Sequence, residues 1–293
     1  MSVTNDDAEI EASRAPLLDH LVELRSRLIV CAAALVVGFF ACFLVSTNLF
    51  ELLLRPLNLA SALLAEQKHG HHGSFDLVLA VTGIHHVAAA SQKMELVFTG
   101  PLEFFFTKMK LAMFGAVIIT FPVLAWQLYR FVAPGLYRRE RNAFLPFLLA
   151  SPILFLMGAA LVYFVMMPFI LWFSLSQQIE SAQFSVKLLP KVSDYLDLVM
   201  HLLLAFGLCF QLPVVLALAG MAELLSAKTL ASGRRYAFVG IIIVAALITP
   251  PDMVSPFLLT IPIYALYEAS IWCVRVIEAR RSASERREAA ASA

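Results

Sequence analysis

Six stretches of this chain are apolar for about the length a helix needs to cross a bilayer, and that feature limits the fold more than any other. A crossing takes about 20 residues, because about 30 Å of hydrocarbon must be covered at about 1.5 Å per residue. By this measure the sequence predicts spans over Leu28–Asn48, Lys110–Phe131, Ala143–Phe173, Tyr195–Met221, Tyr236–Thr249 and Ser255–Val274. Lipid offers backbone groups no hydrogen-bond partner, so such runs must be helices. Composition agrees. Of 293 residues, 60% are hydrophobic and 15% charged, with a mean hydropathy of +0.81, against roughly 45–50% and about 25% in a soluble domain. The expected fold is an all-α integral membrane protein with about six transmembrane helices.

The fifth run is the weak one, since about 14 residues of helix reach only roughly 21 Å. Pro250 and Pro251 follow it, so it cannot continue, and the last two spans read as a pair of short helices. Pro122, Pro146, Pro152, Pro168, Pro213, Pro256 and Pro262 fall inside the runs. They predict kinked helices and a concave bundle.

Orientation is read from lysine and arginine. Arg14, Arg25 and Arg27 precede the first run, and Arg130, Arg138, Arg139 and Arg141 flank the second connection. Lys228, Arg234 and Arg235 lie in the fourth, and Arg275, Arg280, Arg281, Arg286 and Arg287 in the tail. The fifth connection has none. The positive-inside rule then makes both termini cytoplasmic.

Three segments follow: a cytoplasmic stretch over 1–27 carrying an amphipathic helix, a transmembrane domain over 28–274, and a charged cytoplasmic tail over 275–293 expected to be disordered. The polar, acidic start lacks a cleavage site and resembles no organelle leader, so a prokaryotic membrane is the expected address. The periplasmic loop over 49–107 should hold a short interfacial helix, Phe50–Leu54, broken by Pro56, and then a second stretch, Leu57–Glu66.

Most chemistry is excluded by what the motifs lack. There is no Walker A sequence, no HExxH (His20 and Glu23 are wrongly spaced) and no GxSxG, so no enzyme and no cofactor is expected. No basic face suggests nucleic acid. His69, His71, His72, His85 and His86 are close in sequence, but no Cys or carboxylate pair completes a metal site, and they read as a solvated loop. Cys31, Cys42, Cys209 and Cys273 lie in or beside apolar runs as packing residues.

A few polar residues stand out. Glu23, on the amphipathic helix, either pairs with Arg27 four residues on or offers a carboxylate to an incoming guanidinium. Glu140 is the one acid in a basic loop that Pro134 and Gly135 force to turn, and it either neutralises its neighbours or binds a cation. Gln211 is an amide inside a span that either seeks a partner on an adjacent helix or bonds a carbonyl freed by Pro213, and Asp252 either caps the last helix or places a charge at the hairpin tip.

Taken together, these segments resemble the TatC family. The strings are HLVELRSRL, FVAPGLYRRERN, SPILFLMGAALVYFVMMP, YLDLVMHLLLAFGLCFQLPVVL and LITPPDMVSPFLLTIPIYALYE, in family order between Pro16 and Val274. The resemblance implies a receptor in the bacterial inner membrane that binds twin-arginine signal peptides. It implies export of folded proteins driven by the proton motive force, with TatA- and TatB-like single-span partners and self-association. Glu23 and Glu140 match the carboxylates implicated in recognising the arginine pair, and Arg25 matches a further position. Pro56 matches a periplasmic proline and Asp252 the acid of the hairpin tip, while the last two spans match a docking surface for a partner helix. Two departures are visible: Gln211 stands where many relatives have glutamate, leaving it a polar contact for a partner helix, and residues from about 65 to 93 look like an insertion. The rival reading, a proton-coupled small-molecule transporter, needs ionisable residues facing a mid-membrane cavity.

Overall fold

The computed structural model describes residues 3–68, 96–132, 141–180, 185–186, 190–222, 224–249 and 255–292. Helix α1, Val3–Leu44, makes the amphipathic segment and the first span one rod. No glycine or proline stands between Leu17 and Val37, so nothing there interrupts it. It lies antiparallel along α3, Glu103–Val132, the most extensive helix pair of the fold. Small residues allow the close approach: a Cβ on Gly38 would sit 2.9 Å from the Thr120 methyl, and one on Gly115 would sit 2.9 Å from Cys42 Sγ.

Helix α2, Ser46–Lys68, corrects the expectation that Pro56 ends a short helix, because the helix runs through it. A proline at 56 leaves the Leu52 carbonyl without its helical donor. The Tyr163 hydroxyl supplies one, donating to Leu52 O at 2.7 Å, and the Tyr195 hydroxyl donates to Leu53 O at 2.6 Å. Pro56 itself is buried.

The third crossing comprises α4, Arg141–Leu161, a π turn over Val162–Met166, and α5, Met167–Ser176. Pro168 cannot donate to the preceding turn, and the widened turn, in which the Met167 N–H reaches Val162 O, falls just before it. Two-residue strands β1, Ile179–Glu180, and β2, Ser185–Val186, pair antiparallel. Helices α6, Val192–Cys209, and α7, Leu212–Met221, form the next crossing with one tightened turn at Phe210 and Gln211. A short α8, Ala227–Ser232, is capped by the Ser226 hydroxyl, and α9, Arg234–Ile248, and α10, Ser255–Ser292, follow.

Five helical segments among the described residues are long and apolar enough to cross a membrane: Leu21–Leu44, Glu103–Phe131, Leu149–Ser176, Val192–Met221 and Leu259–Ala283. The fifth expected span, Tyr236–Thr249, forms as α9 but has 15 residues, roughly 22 Å of rise. Of the closing pair only α9 is short. Helix α10 has 38 residues, and the tail expected to be disordered continues it to Ser292. Residues 275–292 are rich in Ala, Glu and Arg, three strong helix formers, which accounts for the continuation. The core gathers Leu53 and Leu57 of α2, Leu111 and Phe114 of α3, and Leu196, Leu203 and Phe206 of α6. Large apolar side chains such as Val37, Ile119, Phe164 and Leu247 point outward, as lipid-facing residues do.

Candidate functional site

Polar side chains gather at three levels of the bundle. At the end where α1 enters the bundle, Glu23 and Arg27 share a helix face, and the Arg27 guanidinium bonds the Glu23 carboxylate. Its other arm crosses to α3, donating to the Gln127 carbonyl at 3.3 Å. The Arg27 side chain is 16% exposed and that of Glu23 36%, so the cation is the more enclosed partner. The pairing foreseen from the i,i+4 spacing is thus present, with a tether to α3 that no local rule predicts. Arg25 is exposed and lies about 200° around the helix from Glu23. It does not join this cluster.

The same antiparallel pair brings the last turn of α3 to this end. Residues 133–140, with Glu140, lie outside the described residues, as do 250–254, with Asp252, and the histidine stretch 69–95.

Midway along the bundle, Gln211 faces Ser151 of α4. The Ser151 hydroxyl donates to Gln211 Oε1 at 2.6 Å, and Gln211 Nε2 donates to the Ser151 carbonyl at 2.9 Å. This closed pair satisfies both ends of the amide within the chain, as a low dielectric demands. Glycines permit it. A Cβ on Gly158 would sit 2.7 Å from Phe206 O, and one on Gly207 would sit 2.6 Å from the Phe155 ring, so α4 and α6 meet nearly backbone to backbone.

The far end holds two clusters that the sequence reading missed. Glu103 opens α3 and collects donors from two connections. Its Oε2 accepts from the Thr99 N–H at 2.8 Å, the Gly100 N–H at 3.1 Å and the Thr99 hydroxyl at 3.1 Å. Its Oε1 accepts from the Ser193 hydroxyl at 2.8 Å and faces Lys191 Nζ at 3.4 Å. Beside it, Val97 and Lys191 form a parallel bridge, with Val97 N on Pro190 O and Val192 N on Val97 O. One carboxylate therefore fastens the segment entering α3 to the segment entering α6.

Deeper, Lys110 Nζ of α3 holds both Asp197 oxygens of α6, at 2.8 and 3.1 Å. His201 Nδ1 lies 2.6 Å from the Asp197 carbonyl, which makes Nδ1 the protonated nitrogen. The recoverable signal was Asp194, Asp197 and His201 at i, i+3 and i+7, one face of a helix. Among the described residues, no group of three or more His, Cys, Asp and Glu could hold a metal ion.

The family model for TatC, Sec-independent protein translocase protein, matches residues 19–262. The chain belongs to the TatC family. It is 37% identical over 277 residues to the Sec-independent protein translocase protein TatC of Magnetococcus marinus, spanning 94% of this chain and 90% of that one. With the Escherichia coli K12 protein of the same name it shares 32% over 260 residues, 89% and 88% of the two chains. A crystal structure of a twin-arginine translocase receptor TatC, 31% identical, superposes with a TM-score of 0.67 over 88% of this chain and 98% of that one. For this TatC-family chain the helical membrane fold is therefore common ground with a solved relative.

Proposed function

We propose that this chain recognises twin-arginine signal peptides through Glu23 and Glu140 at the cytoplasmic face of a bacterial inner membrane. As a TatC-family protein it is a non-enzymatic, multi-pass component of Sec-independent protein transport, the receptor subunit of the twin-arginine translocase. The observation that carries the recognition site is Glu23: a carboxylate at the end where α1 enters the bundle, beside the last turns of α3, already bonding a guanidinium. A carboxylate binds the planar fork of arginine with two parallel charge-assisted bonds, which lysine cannot copy.

Both termini are cytoplasmic in this reading, by the distribution of arginine and lysine, and α9 makes a sixth, short crossing with local thinning of the bilayer. TatA- and TatB-like helices dock along α9 and α10, whose outward faces carry Phe238, Val239, Leu247, Phe257 and Ile261. Arg25 adds an exposed cation on nearly the opposite face of α1 from Glu23, and self-association builds the working assembly. The proton motive force supplies the energy.

The test is the affinity of a labelled RR signal peptide against its KK variant in nanodiscs, for wild type, Glu23→Gln and Glu140→Gln. A tenfold or greater RR preference that collapses in both mutants supports the site; about tenfold corresponds to about 1.4 kcal/mol. Equal binding of RR and KK by wild type refutes it.

A further inference from the structure

We infer that Arg27 is a built-in competitor for the guanidinium site, occupying the Glu23 carboxylate until a signal-peptide arginine displaces it. The inference rests on the reading of Glu23 given above and adds what sets the threshold for binding. The Arg27 guanidinium already makes on Glu23 the kind of bond an incoming arginine would make.

Three observations make it a competitor of consequence. Arg27 lies on the same face of the same helix, so it reaches Glu23 without any rearrangement of the backbone. Its second arm is anchored on the Gln127 carbonyl of α3 at 3.3 Å, which fixes the guanidinium in place and lowers the entropy cost of holding the pair. With its side chain 16% exposed, the ion pair is screened less than an ordinary surface pair. Glu23, at 36%, stays open enough for a ligand to approach. The anchor also gives Arg27 somewhere to go, because on release from Glu23 it keeps an acceptor on α3.

Competition by a group common to every ligand changes affinity but not selectivity. Removing Arg27 lowers the cost of entry equally for RR and KK peptides, so both bind more tightly and their ratio is unchanged. In the resting protein the threshold excludes weak cationic peptides, and a peptide supplying two guanidinium forks crosses it.

The experiment measures dissociation constants of labelled RR and KK peptides for the full chain in nanodiscs, as wild type, Arg27→Gln, Arg27→Lys and Glu23→Gln. Arg27→Gln is expected to tighten both peptides about 1.4- to 5-fold, the span set by measured ion-pair strengths, with the RR-to-KK ratio held. Arg27→Lys keeps the charge and loses the fork, and is expected to tighten both by a smaller factor. It decides the question if the Gln variant does not fold. Unchanged or weaker binding in the folded Arg27 variants, in preparations where Glu23→Gln weakens RR binding, overturns the competitor and leaves the receptor site standing. RR binding that survives Glu23→Gln overturns both.

Discussion

Replacing Tyr163 by Phe tests whether its hydroxyl is what lets α2 run through Pro56. The Leu52 carbonyl has no helical donor because residue 56 lacks an N–H, and the Tyr163 hydroxyl, 2.7 Å away, takes that role. Tyr163→Phe keeps the ring and strips the donor. An acceptor left unsatisfied away from water costs about 1–3 kcal/mol, and the half-buried position of Tyr163 puts the expected loss in the lower half of that range. Pro56→Ala restores the N–H, so in that background the same Tyr163→Phe change should cost less than about 0.5 kcal/mol, giving a coupling of about 1 kcal/mol. The assay is reversible unfolding in mixed micelles by circular dichroism for wild type, both single mutants and the double mutant. Equal cost of Tyr163→Phe in the two backgrounds would refute the argument and make the tyrosine an ordinary packing residue.

Three further outcomes are expected. Gln211→Glu keeps an acceptor for the Ser151 hydroxyl but sets an oxygen against the Ser151 carbonyl; stability should fall by about 1–3 kcal/mol in the same unfolding assay, and an unchanged midpoint would mean the pair is not formed. Gly207→Ala drives a methyl to 2.6 Å from the Phe155 ring; overpacking of this kind costs about 1–3 kcal/mol, and Phe155→Leu in the same chain should recover part of it. Glu103→Ala removes the shared acceptor of Thr99, Gly100 and Ser193; hydrogen exchange at Val97 and Val192 should accelerate, and unaltered protection there would show that the bridge stands without the carboxylate.

How far the sequence carries the reader differs by kind of contact. Length and hydropathy are local sums, so five of the spans could be read directly, and the short α9 was marked by Pro250 and Pro251. Helical spacing foretold the Glu23–Arg27 pair, and the same arithmetic, applied to Arg25, would have put it on another face. The interruption at Gln211 was visible from Pro213, but its partner Ser151 stands sixty positions away, and no local rule chooses it among the polar residues of the other spans. Pro56 misled for the same reason. A proline read alone ends a helix, and the hydroxyl that satisfies the freed Leu52 carbonyl comes from a residue 111 positions distant. Nothing local to Glu103 signals that the segment entering α6, 88 to 90 positions on, brings Lys191 and Ser193 to it. The tail over 275–293 reads as disordered from its charge alone, whereas the helix propensity of its Ala, Glu and Arg agrees with the helix that runs to Ser292.

Helix α10, at 38 residues and about 57 Å of rise, is far longer than the roughly 30 Å a crossing needs. From the middle of its apolar segment, near Ile271, to Ser292 the rise is about 32 Å, with no hinge in between. Such a rod converts rotation into translation: a tilt of about 10° in the lipid-embedded half sweeps the far tip through about 5 Å. Movements of the crossing against α7 and α9, its packing partners, are thereby relayed as a lever arm's displacement outside the membrane, where a distance label at the tip would read them.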